Sequence, residues 1–502
     1  MYERLSGRTE ILIVADGDIL KIAEKHNTKQ ISQMKRYFYY IATLLTVMTC
    51  VCGCSEFLHV MPKGRVTTPS FLSSPDGLKA ALVGAYSKLY VVYDGDFLRY
   101  PDVAGNMLSI VNATESSNMI SQYNFTSNED EELGAVGKIW TDGFEAMANA
   151  NNIIQYAPQV AQDYPLQADD INRILGEALF MRALLHLDIC LCYAQPYNYT
   201  ADASHLGIPV LYKTPGSDDN ESRQSVAAVY KLICNDLVRA EELLSDKSSR
   251  GQYYVSVDAV RALYSRVCLY MENWQDAINY ADKVIPGKTL AKGADYYNMY
   301  NNPVADSEAI FRFDGTDMGS KHRTFYAETA VPADTLISLF DTRDIRLQTL
   351  YKAGSKCCVK YEIDLTRLGL NHGDEPIVVR LSELYLNAAE AACWLNNYGA
   401  ARNYIRPILE RAVDAAYADD VLGATTDSQL IDLVRKERVK ELCFEGHNFF
   451  DIVRWKMDLV REWKTTSTVR RIDYPSDYFV LPISRYELSA NLNMQPNPTV
   501  NK

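Results

Sequence analysis

The stretch that decides the fold is VRKERVKELCFEGHNFFDIVRWK, residues 434–456. It places Glu437, Glu441 and Glu445 one helical turn apart, so a helix would carry their carboxylates on one side. Apolar residues such as Leu442 and Phe444 are interspersed with them, and buried carboxylates need cationic partners. The stretch therefore predicts a partly buried ion network, formed by Glu437, Arg438, Glu441, Glu445, Asp451 and Arg454.

Further motifs lie on both sides of this stretch. They are GAYSKLY (84–90), IWTDGFEAMANANNII (139–154), GEALFMRALLHL (176–187), DEPIVVRLSELYLNAAEA (374–391) and YFVLPISRYELSANLNMQPNP (478–498). Together with residues 434–456, they resemble in type and order the motifs of the SusD/RagB family of outer-membrane lipoproteins, from about residue 54 to the end. The resemblance implies a mostly α-helical, SusD-like single domain, with tetratricopeptide-like helix pairs as scaffold and long irregular loops that carry the binding face.

Apolar periodicity also predicts a helical scaffold. Helical spacing runs through residues 176–197 and through 225–244, where Ser225 is a candidate N-cap. Residues 256–285 and 381–412 align with each other at an offset of 124 residues, which pairs Asn273-Trp274 with Asn397-Tyr398 and Ala277 with Ala401. Each of these two segments predicts two antiparallel helices around a tight turn, and this plan resembles the tetratricopeptide repeat.

The chain starts with features of export. Residues 37–53 form a 17-residue run without charge, directly after Met34, Lys35 and Arg36, which is typical of a signal peptide and short for a membrane-spanning helix. The run ends in Val51-Cys52-Gly53-Cys54, which resembles a bacterial lipobox and predicts lipid attachment, including palmitate, at Cys54. Plain signal cleavage and an uncleaved anchor are the alternatives.

These features predict the organisation of the chain. Residues 1–33 mix acidic and basic side chains in front of the signal, so we expect them to be an over-extended start, with Met34 as the initiator. The predicted parts are a lipoprotein signal peptide (34–53), an N-terminal tether (54–75) and a SusD-like domain (76–502), with halves at about 76–285 and 286–502.

Composition and the absence of common catalytic motifs exclude several classes of function. The 502 residues carry a formal charge of −13, which argues against broad nucleic-acid binding. The sequence contains no P-loop, GxGxxG, HExxH, EF-hand or GxSxG motif, and no cysteine spacing typical of zinc sites. We therefore expect a protein that is not an enzyme and has no metal or cofactor.

The family resemblance implies a role in nutrient uptake. The expected function is polysaccharide utilization: a cell-surface lipoprotein of the outer membrane binds an oligosaccharide or polysaccharide and passes it to a SusC-like TonB-dependent transporter. A peptide-binding, RagB-like member of the same family is the first alternative. A surface-anchored hydrolase is the second, and it is disfavoured because no catalytic constellation stands out.

The candidate ligand residues lie in two segments rich in Gly, Asn, Asp and Tyr. Residues 90–130 and 286–325 show little helical period, so we expect long ordered loops, which are often functional. A glycan site needs aromatic platforms beside hydrogen-bonding groups. The candidates for ligand contact are Tyr93, Asp94, Phe97, Tyr100, Asn106, Tyr296, Tyr297, Asn298 and Tyr300.

Overall fold

The computed structural model describes residues 68–112, 119–216, 219–302, 308–369 and 371–498. The predicted signal peptide, the predicted start at Met34 and the predicted lipid-attachment residue Cys54 lie outside these ranges. The described residues belong to one compact unit that begins at Thr68. Within them, no helix has both the length and the apolar character needed to cross a bilayer.

Helices dominate the described residues. They are α1 (Thr68–Leu72), α2 (Pro75–Tyr93), α3 (Asp96–Ala104), α4 (Ile120–Tyr123), α5 (Ala135–Asp163), α6 (Ala168–Tyr193), α7 (Val226–Leu244), α8 (Val257–Tyr270), α9 (Trp274–Asp282), α10 (Ala294–Asn301), α11 (Lys321–Glu328), α12 (Asp334–Ile337), α13 (Leu365–Leu368), α14 (Leu381–Trp394), α15 (Tyr398–Ala412), α16 (Ala415–Ala424), α17 (Leu430–Leu442), α18 (Asn448–Arg454) and α19 (Arg485–Ala490). The mostly α-helical fold predicted from the sequence is confirmed.

The described strands are short and form two-stranded antiparallel sheets. They are β1 (Leu108–Ile110), β2 (Leu206–Pro209), β3 (Arg223–Ser225), β4 (Ala309–Arg312), β5 (Ala330–Pro332), β6 (Tyr351–Lys352), β7 (Ser355–Lys356), β8 (Ile377–Arg380), β9 (Leu459–Val460) and β10 (Arg471–Ile472). The antiparallel pairs are β1–β5, β2–β3, β4–β8, β6–β7 and β9–β10. Each strand has two to four residues; β6 and β7 form a local hairpin, whereas β1–β5 and β4–β8 join segments that are distant in the chain.

Long helices form the N-terminal layer, in which α2 packs on α5, α5 on α6 and α6 on α7. Almost every residue of α6 from Ile171 onwards is buried, because the helix is covered by neighbours on all sides. Its His186 accepts a hydrogen bond from Leu211 N and bonds Arg182 O, so it is a satisfied core residue. The predicted N-cap is also confirmed: Ser225 Oγ accepts from Ala228 N at 3.2 Å, at the start of α7.

Two helix–turn–helix units, α8–α9 and α14–α15, reproduce the internal repeat. Their turns contain left-handed residues at equivalent positions, Glu272 with φ 60° and Asn396 with φ 57°. The aligned Ala277 and Ala401 are fully buried, since a larger side chain would hold the packed helices apart. The α9 and α14 helices pack directly against each other, which joins the units into one scaffold.

The prediction of long irregular loops at 90–130 and 286–325 holds only in part. Much of the first segment belongs to α2, α3, β1 and α4, and much of the second to α10, β4 and α11. These elements are short, and eight of the nine residues of α3 are buried. Periodicity is read over windows of about 11 to 18 residues, and apart from the end of α2 these elements are too short to fill such a window.

The stretch at 434–456 forms α17, a tight turn and α18 rather than one continuous helix. The α17 helix ends at Leu442, Phe444 has φ 61° and Gly446 has φ 81°. A Cβ at Gly446 would lie 2.7 Å from Leu98 Cδ1, so both the left-handed backbone and the close approach of α3 require glycine. The turn keeps Glu445 beside Glu441 although the helix has ended.

A buried ion network fills the space around this turn. Arg380 bonds Glu308 at 2.7 Å, Glu441 at 2.6 Å and Glu445 at 2.7 Å. The other contacts join Arg346 to Asp344, Glu437 and Glu441, Arg411 to Glu308 and Glu441, Lys360 to Glu445, and Lys440 to Glu437. Five cations thus face five carboxylates, and this balance is what makes their burial tolerable.

The opposing effects on Glu445 show how the network works. Burial by itself would raise the pKa of the Glu445 carboxyl, but the neighbouring Arg380 and Lys360 lower this pKa to about 2. The carboxylate therefore stays ionised in the folded chain, and its cations stay compensated.

We expect Glu441→Gln to lower the free energy of unfolding by about 3–5 kcal/mol, because it leaves buried arginines short of a carboxylate. The exposed pair of Glu242 and Arg239, at 2.8 Å, provides the control. Glu242→Gln should cost less than about 1 kcal/mol. Urea unfolding followed by circular dichroism measures both, and equal costs would contradict a buried network.

Three carboxyls are buried without a full cationic partner. Burial raises the pKa of Asp102, Asp188 and Asp374 to about 7. Asp188 accepts a hydrogen bond from Tyr93 Oη at 2.8 Å, and Asp102 accepts one from Tyr326 Oη at 2.8 Å. These three groups hold protons in the folded chain at a pH where the unfolded chain, with pKa values near 4, has lost them.

The free energy of unfolding should therefore fall as the pH rises from about 7 to 8, since the folded state binds more protons than the unfolded state in this window. Below about pH 6.5 the buried His186, His322 and His447 act in the opposite direction, because burial lowers their pKa values and only the unfolded state protonates them.

Asp188→Asn keeps an oxygen for Tyr93 but removes one titrating group, so the slope should become shallower. Asp170→Asn, an exposed position on the same helix, should keep the slope. Urea midpoints at four pH values measure this, and a stability that increases with pH in the same window would contradict it.

Candidate tryptophan-lined binding site

The first predicted ligand segment supplies core residues rather than an open platform. Tyr93, Phe97 and Tyr100 are buried, and the rings of Tyr93 and Phe97 pack edge to face with centroids 5.4 Å apart. Asp94 is buried beside Lys321 at 3.6 Å. The half-buried Asn106 donates to Val460 O at 3.1 Å and accepts from Asn448 Nδ2 at 2.9 Å.

The second predicted segment packs against the ion network. Tyr296 and Tyr300 on α10 are buried. Tyr300 Oη donates to Glu445 at 3.0 Å, and the Arg411 guanidinium lies 4.6 Å from the centre of the Tyr296 ring. Their neighbours Tyr297 and Asn298 are half-buried.

A ring can stack on a sugar only if one of its faces is free. The structure does not present a free ring face at Tyr93, Phe97, Tyr100, Tyr296 or Tyr300, because these five residues are buried. Asp94 is likewise enclosed. Ligand contact by Asn106, Tyr297 and Asn298 stays a prediction.

Aromatic side chains with free surface come together elsewhere, at the ends of the repeat helices. A cavity of about 220 Å³ is lined by Tyr270, Trp274, Trp394 and Trp455. Trp274 and Trp394 stack with ring centres 5.5 Å apart and planes 12° from parallel. Trp394 remains 48% exposed. This tryptophan pocket contains three of the five tryptophans of the chain.

The repeat explains why these rings meet. Trp274 is the first residue of α9, directly after the turn of the first unit, and Trp394 is the last residue of α14, directly before the turn of the second. Since α9 packs on α14, the two turns bring both rings to the same edge. Trp455 joins them from the residue after α18.

The floor of the tryptophan pocket is a second, charge-balanced group of ion pairs. Arg454 donates to both oxygens of Glu390, at 2.7 and 2.8 Å, and its Nε donates to Asp451 at 2.8 Å. Arg438 donates to the other oxygen of Asp451 at 2.8 Å. All six predicted network residues thus lie in buried ion pairs, Arg438, Asp451 and Arg454 below the tryptophan pocket and the three glutamates in the larger group.

One residue of this floor, Glu390, directly holds the Trp455 side of the tryptophan pocket. The indole Nε1 of Trp455 donates to Glu390 at 2.8 Å. Burial would raise the pKa of Glu390, but Arg454 outweighs it and lowers that pKa. Glu390 therefore remains a carboxylate that can hold both the guanidinium and the indole in place.

Polar groups form the rim. Asn198 donates to Glu272 at 2.6 Å and to Arg454 O at 2.9 Å. The Arg435 guanidinium lies 5.1 Å from the centre of the Trp455 ring and 5.9 Å from that of Trp394. Lys456 also lines the cavity and is exposed. Aromatic walls with hydrogen-bonding groups at the rim can hold a sugar ring, whose apolar C–H face stacks while its hydroxyls bond.

Sequence reasoning did not find this site. It assigned Trp274 to the repeat and Trp455 to the family signature, and both assignments concern structure. One signal was available: the repeat alignment that pairs Asn273-Trp274 with Asn397-Tyr398 also places Trp394 just before the second turn. Aromatic residues that cluster around both turns of a helical repeat indicate one shared edge.

Two further features lie outside the tryptophan pocket. Trp463, between β9 and β10, is 81% exposed, and Arg470 covers one face of its ring at 4.0 Å. Asp314, His372 and Glu375 place potential metal-ligand atoms within 4.8 Å of one another. His372 and Arg312 already contact Glu375, at 2.7 and 3.1 Å, so this cluster has partners within the protein.

Two protein-family models match this chain. Residues 271–499 match the model of the SusD family, and residues 56–269 match a SusD-like model described as starch-binding associating with outer membrane. The chain belongs to the SusD/RagB family. The two models follow each other and together span both the long helices and the stretch at 434–456.

Curated relatives of this SusD-family chain are distant but match over most of their length. A SusD-like protein of Formosa agariphila is 23% identical over 90% of this chain and 96% of its own. A SusD-like protein of Bacteroides ovatus is 20% identical over 83% of this chain and 82% of its own.

Solved structures share the fold. A putative sugar binding protein from Bacteroides vulgatus is 25% identical, with a TM-score of 0.76 over 85% of this chain and 98% of its own. A laminarin binding SusD-like protein is 19% identical, with a TM-score of 0.65 over 85% of this chain and 99% of its own. At that lower identity, the likeness shows the fold alone.

Proposed function

We propose that this chain is a cell-surface glycan-binding lipoprotein that captures an oligosaccharide or polysaccharide and hands it to a SusC-like TonB-dependent transporter. The observation that carries the proposal is the tryptophan pocket on a SusD-family scaffold. Its volume suits about one sugar ring, and longer chains would extend across the open rim. The family model described as starch-binding associating with outer membrane supports a carbohydrate ligand and the location.

Binding rather than catalysis fits the chemistry of the tryptophan pocket. Its buried carboxylate Glu390 is held by Arg454 and by Trp455, and the rim carboxylate Glu272 accepts from Asn198. A glycosidase needs two carboxyls that flank one sugar bond and are free to exchange protons. The hydrolase alternative therefore stays disfavoured, and the peptide-binding alternative is left to experiment.

Trp394→Ala should weaken glycan binding about tenfold or more, because it removes the most exposed stacking surface of the tryptophan pocket. Calorimetry against a panel of glycans and peptides measures the change. Tyr486→Ala, an exposed aromatic on α19, is the control and should bind as the wild type does.

Other results would redirect the proposal. Loss of binding on Trp463→Ala, with Trp394→Ala unaffected, would move the site to the hairpin of β9 and β10. Peptides that bind while every glycan fails would support the RagB-like alternative, and release of cleaved products would support a hydrolase.

The proposed anchor has its own test. Cells that express Cys54→Ser should incorporate no labelled palmitate into this protein and should release it from the outer-membrane fraction, because the acyl chains hold it there. Cys52→Ser, two residues earlier, is the matched control and should remain labelled. Label that persists in Cys54→Ser would contradict lipidation at this residue.

The partner can be tested in the same cells. An affinity-tagged Cys52→Ser protein, purified from outer membranes in mild detergent, should bring a SusC-like TonB-dependent transporter with it, identified by mass spectrometry. Purification without such a transporter would contradict the transfer step while leaving glycan binding intact.

A further inference from the structure

Arg435 is a cation without a carboxylate partner among the described residues. It lies on α17 two residues before Glu437, yet no described carboxylate forms an ion pair with it, and its buried Nε has no hydrogen-bond partner. Arg438, on the same helix, is paired with Asp451 at 2.8 Å. Arg435 therefore differs from the buried arginines around it, all of which serve the ion network.

The guanidinium of Arg435 lies at the tryptophan pocket. It lines the cavity at 5.1 Å from the ring of Trp455 and 5.9 Å from the ring of Trp394. Stacking of this kind holds a guanidinium in place while its N–H groups, which lie in the guanidinium plane, remain able to donate. Partial burial lowers the pKa of Arg435, and this is the cost of keeping an unpaired charge here.

The negative charges of Glu390, Asp432 and Asp451 act favourably on this cation, but none of these described carboxylates forms an ion pair with it. Glu390 is engaged by Arg454 and Trp455, and Glu272 accepts from Asn198. Arg435, Arg454 and Lys456 thus give the lining three cations against two carboxylates, in a chain whose formal charge is −13. A cavity with excess positive charge in an acidic protein favours an anionic ligand.

We propose that the tryptophan pocket selects an acidic sugar, a uronic acid residue whose ring stacks on Trp394 and whose carboxylate pairs with Arg435. The planar carboxylate matches the two parallel N–H donors of a guanidinium, a geometry that a lysine cannot reproduce. This inference rests on the proposed glycan-binding function and adds the class of sugar to it. Lys456, at the exposed rim, would contact the acidic groups of neighbouring sugars.

The test compares two forms of the same oligosaccharide, an oligogalacturonate and its carboxyl-reduced, neutral counterpart. The wild type should bind the acidic form about 10- to 100-fold more tightly, as expected for a charge-assisted hydrogen-bonded pair. Arg435→Gln should remove this preference while retaining weak binding of both forms. Arg435→Lys keeps the charge but not the planar donors, so it should restore the preference only in part.

Lys436→Gln is the matched control, because it removes the same charge from the next residue of α17, which is exposed and does not line the cavity. It should keep the wild-type preference. Circular dichroism and urea midpoints establish that each variant is folded. Raising the salt concentration should weaken binding of the acidic form in the wild type and have little effect in Arg435→Gln.

Each result has a defined meaning. Equal affinity of the wild type for both forms, or full acidic preference in Arg435→Gln, would overturn the inference. Binding of a sulfated neutral oligosaccharide in preference to the uronate would overturn it as well. Neutral glycans that bind through Trp394 would still support the proposed function, whereas a wild type that binds no glycan would contradict both.

Discussion

The structure depends on one constraint, the charge balance of the ion pairs buried around α17 and α18. Arg380, placed at the end of β8, joins Glu308, just before β4, to Glu441 and Glu445 in the stretch at 434–456. Each buried ion has lost its hydration shell, so its burial is tolerable only while its ionic partners stay in place. This requirement fixes the positions of β4, β8, α15 and the turn at Gly446 relative to one another.

The tryptophan pocket takes its rigidity from the same source. Glu390, on α14, holds Arg454 and the indole of Trp455, and Arg454 in turn holds Asp451. The stretch that identifies the family thus also supports the tryptophan pocket. A site on helix ends costs less ordering free energy on binding than one on mobile loops, because its side chains are already positioned.

Much of the fold could be predicted, because its signals are local. The helix pairs at 256–285 and 381–412 follow from periodicity, and the cap at Ser225 follows from the chemistry of one side chain. The candidate site could not be predicted in the same way. The segments around Tyr93 and Tyr296 have the composition of a binding loop. The end of α2 and α10 are nevertheless enclosed by neighbours that are distant in sequence, and no local pattern records that enclosure.

The sequence by itself determined the family, the helical scaffold and six of the residues in buried ion pairs, since each depends on residue type at fixed spacing. Their partners Arg380, Glu308 and Glu390 lie in parts of the chain that local spacing does not connect to residues 434–456. Only the tertiary structure decided which aromatic rings stay exposed and that Arg435 forms no ion pair with a carboxylate of the described residues. Trp274, Trp394 and Arg435 are separated by 120 and 41 positions along the chain, and they meet because α9 and α14 pack edge to edge above the pair of Glu390 and Arg454. Exposure and pairing are properties of the assembled surface, because every neighbour that covers a ring or neutralises a charge comes from elsewhere in the chain.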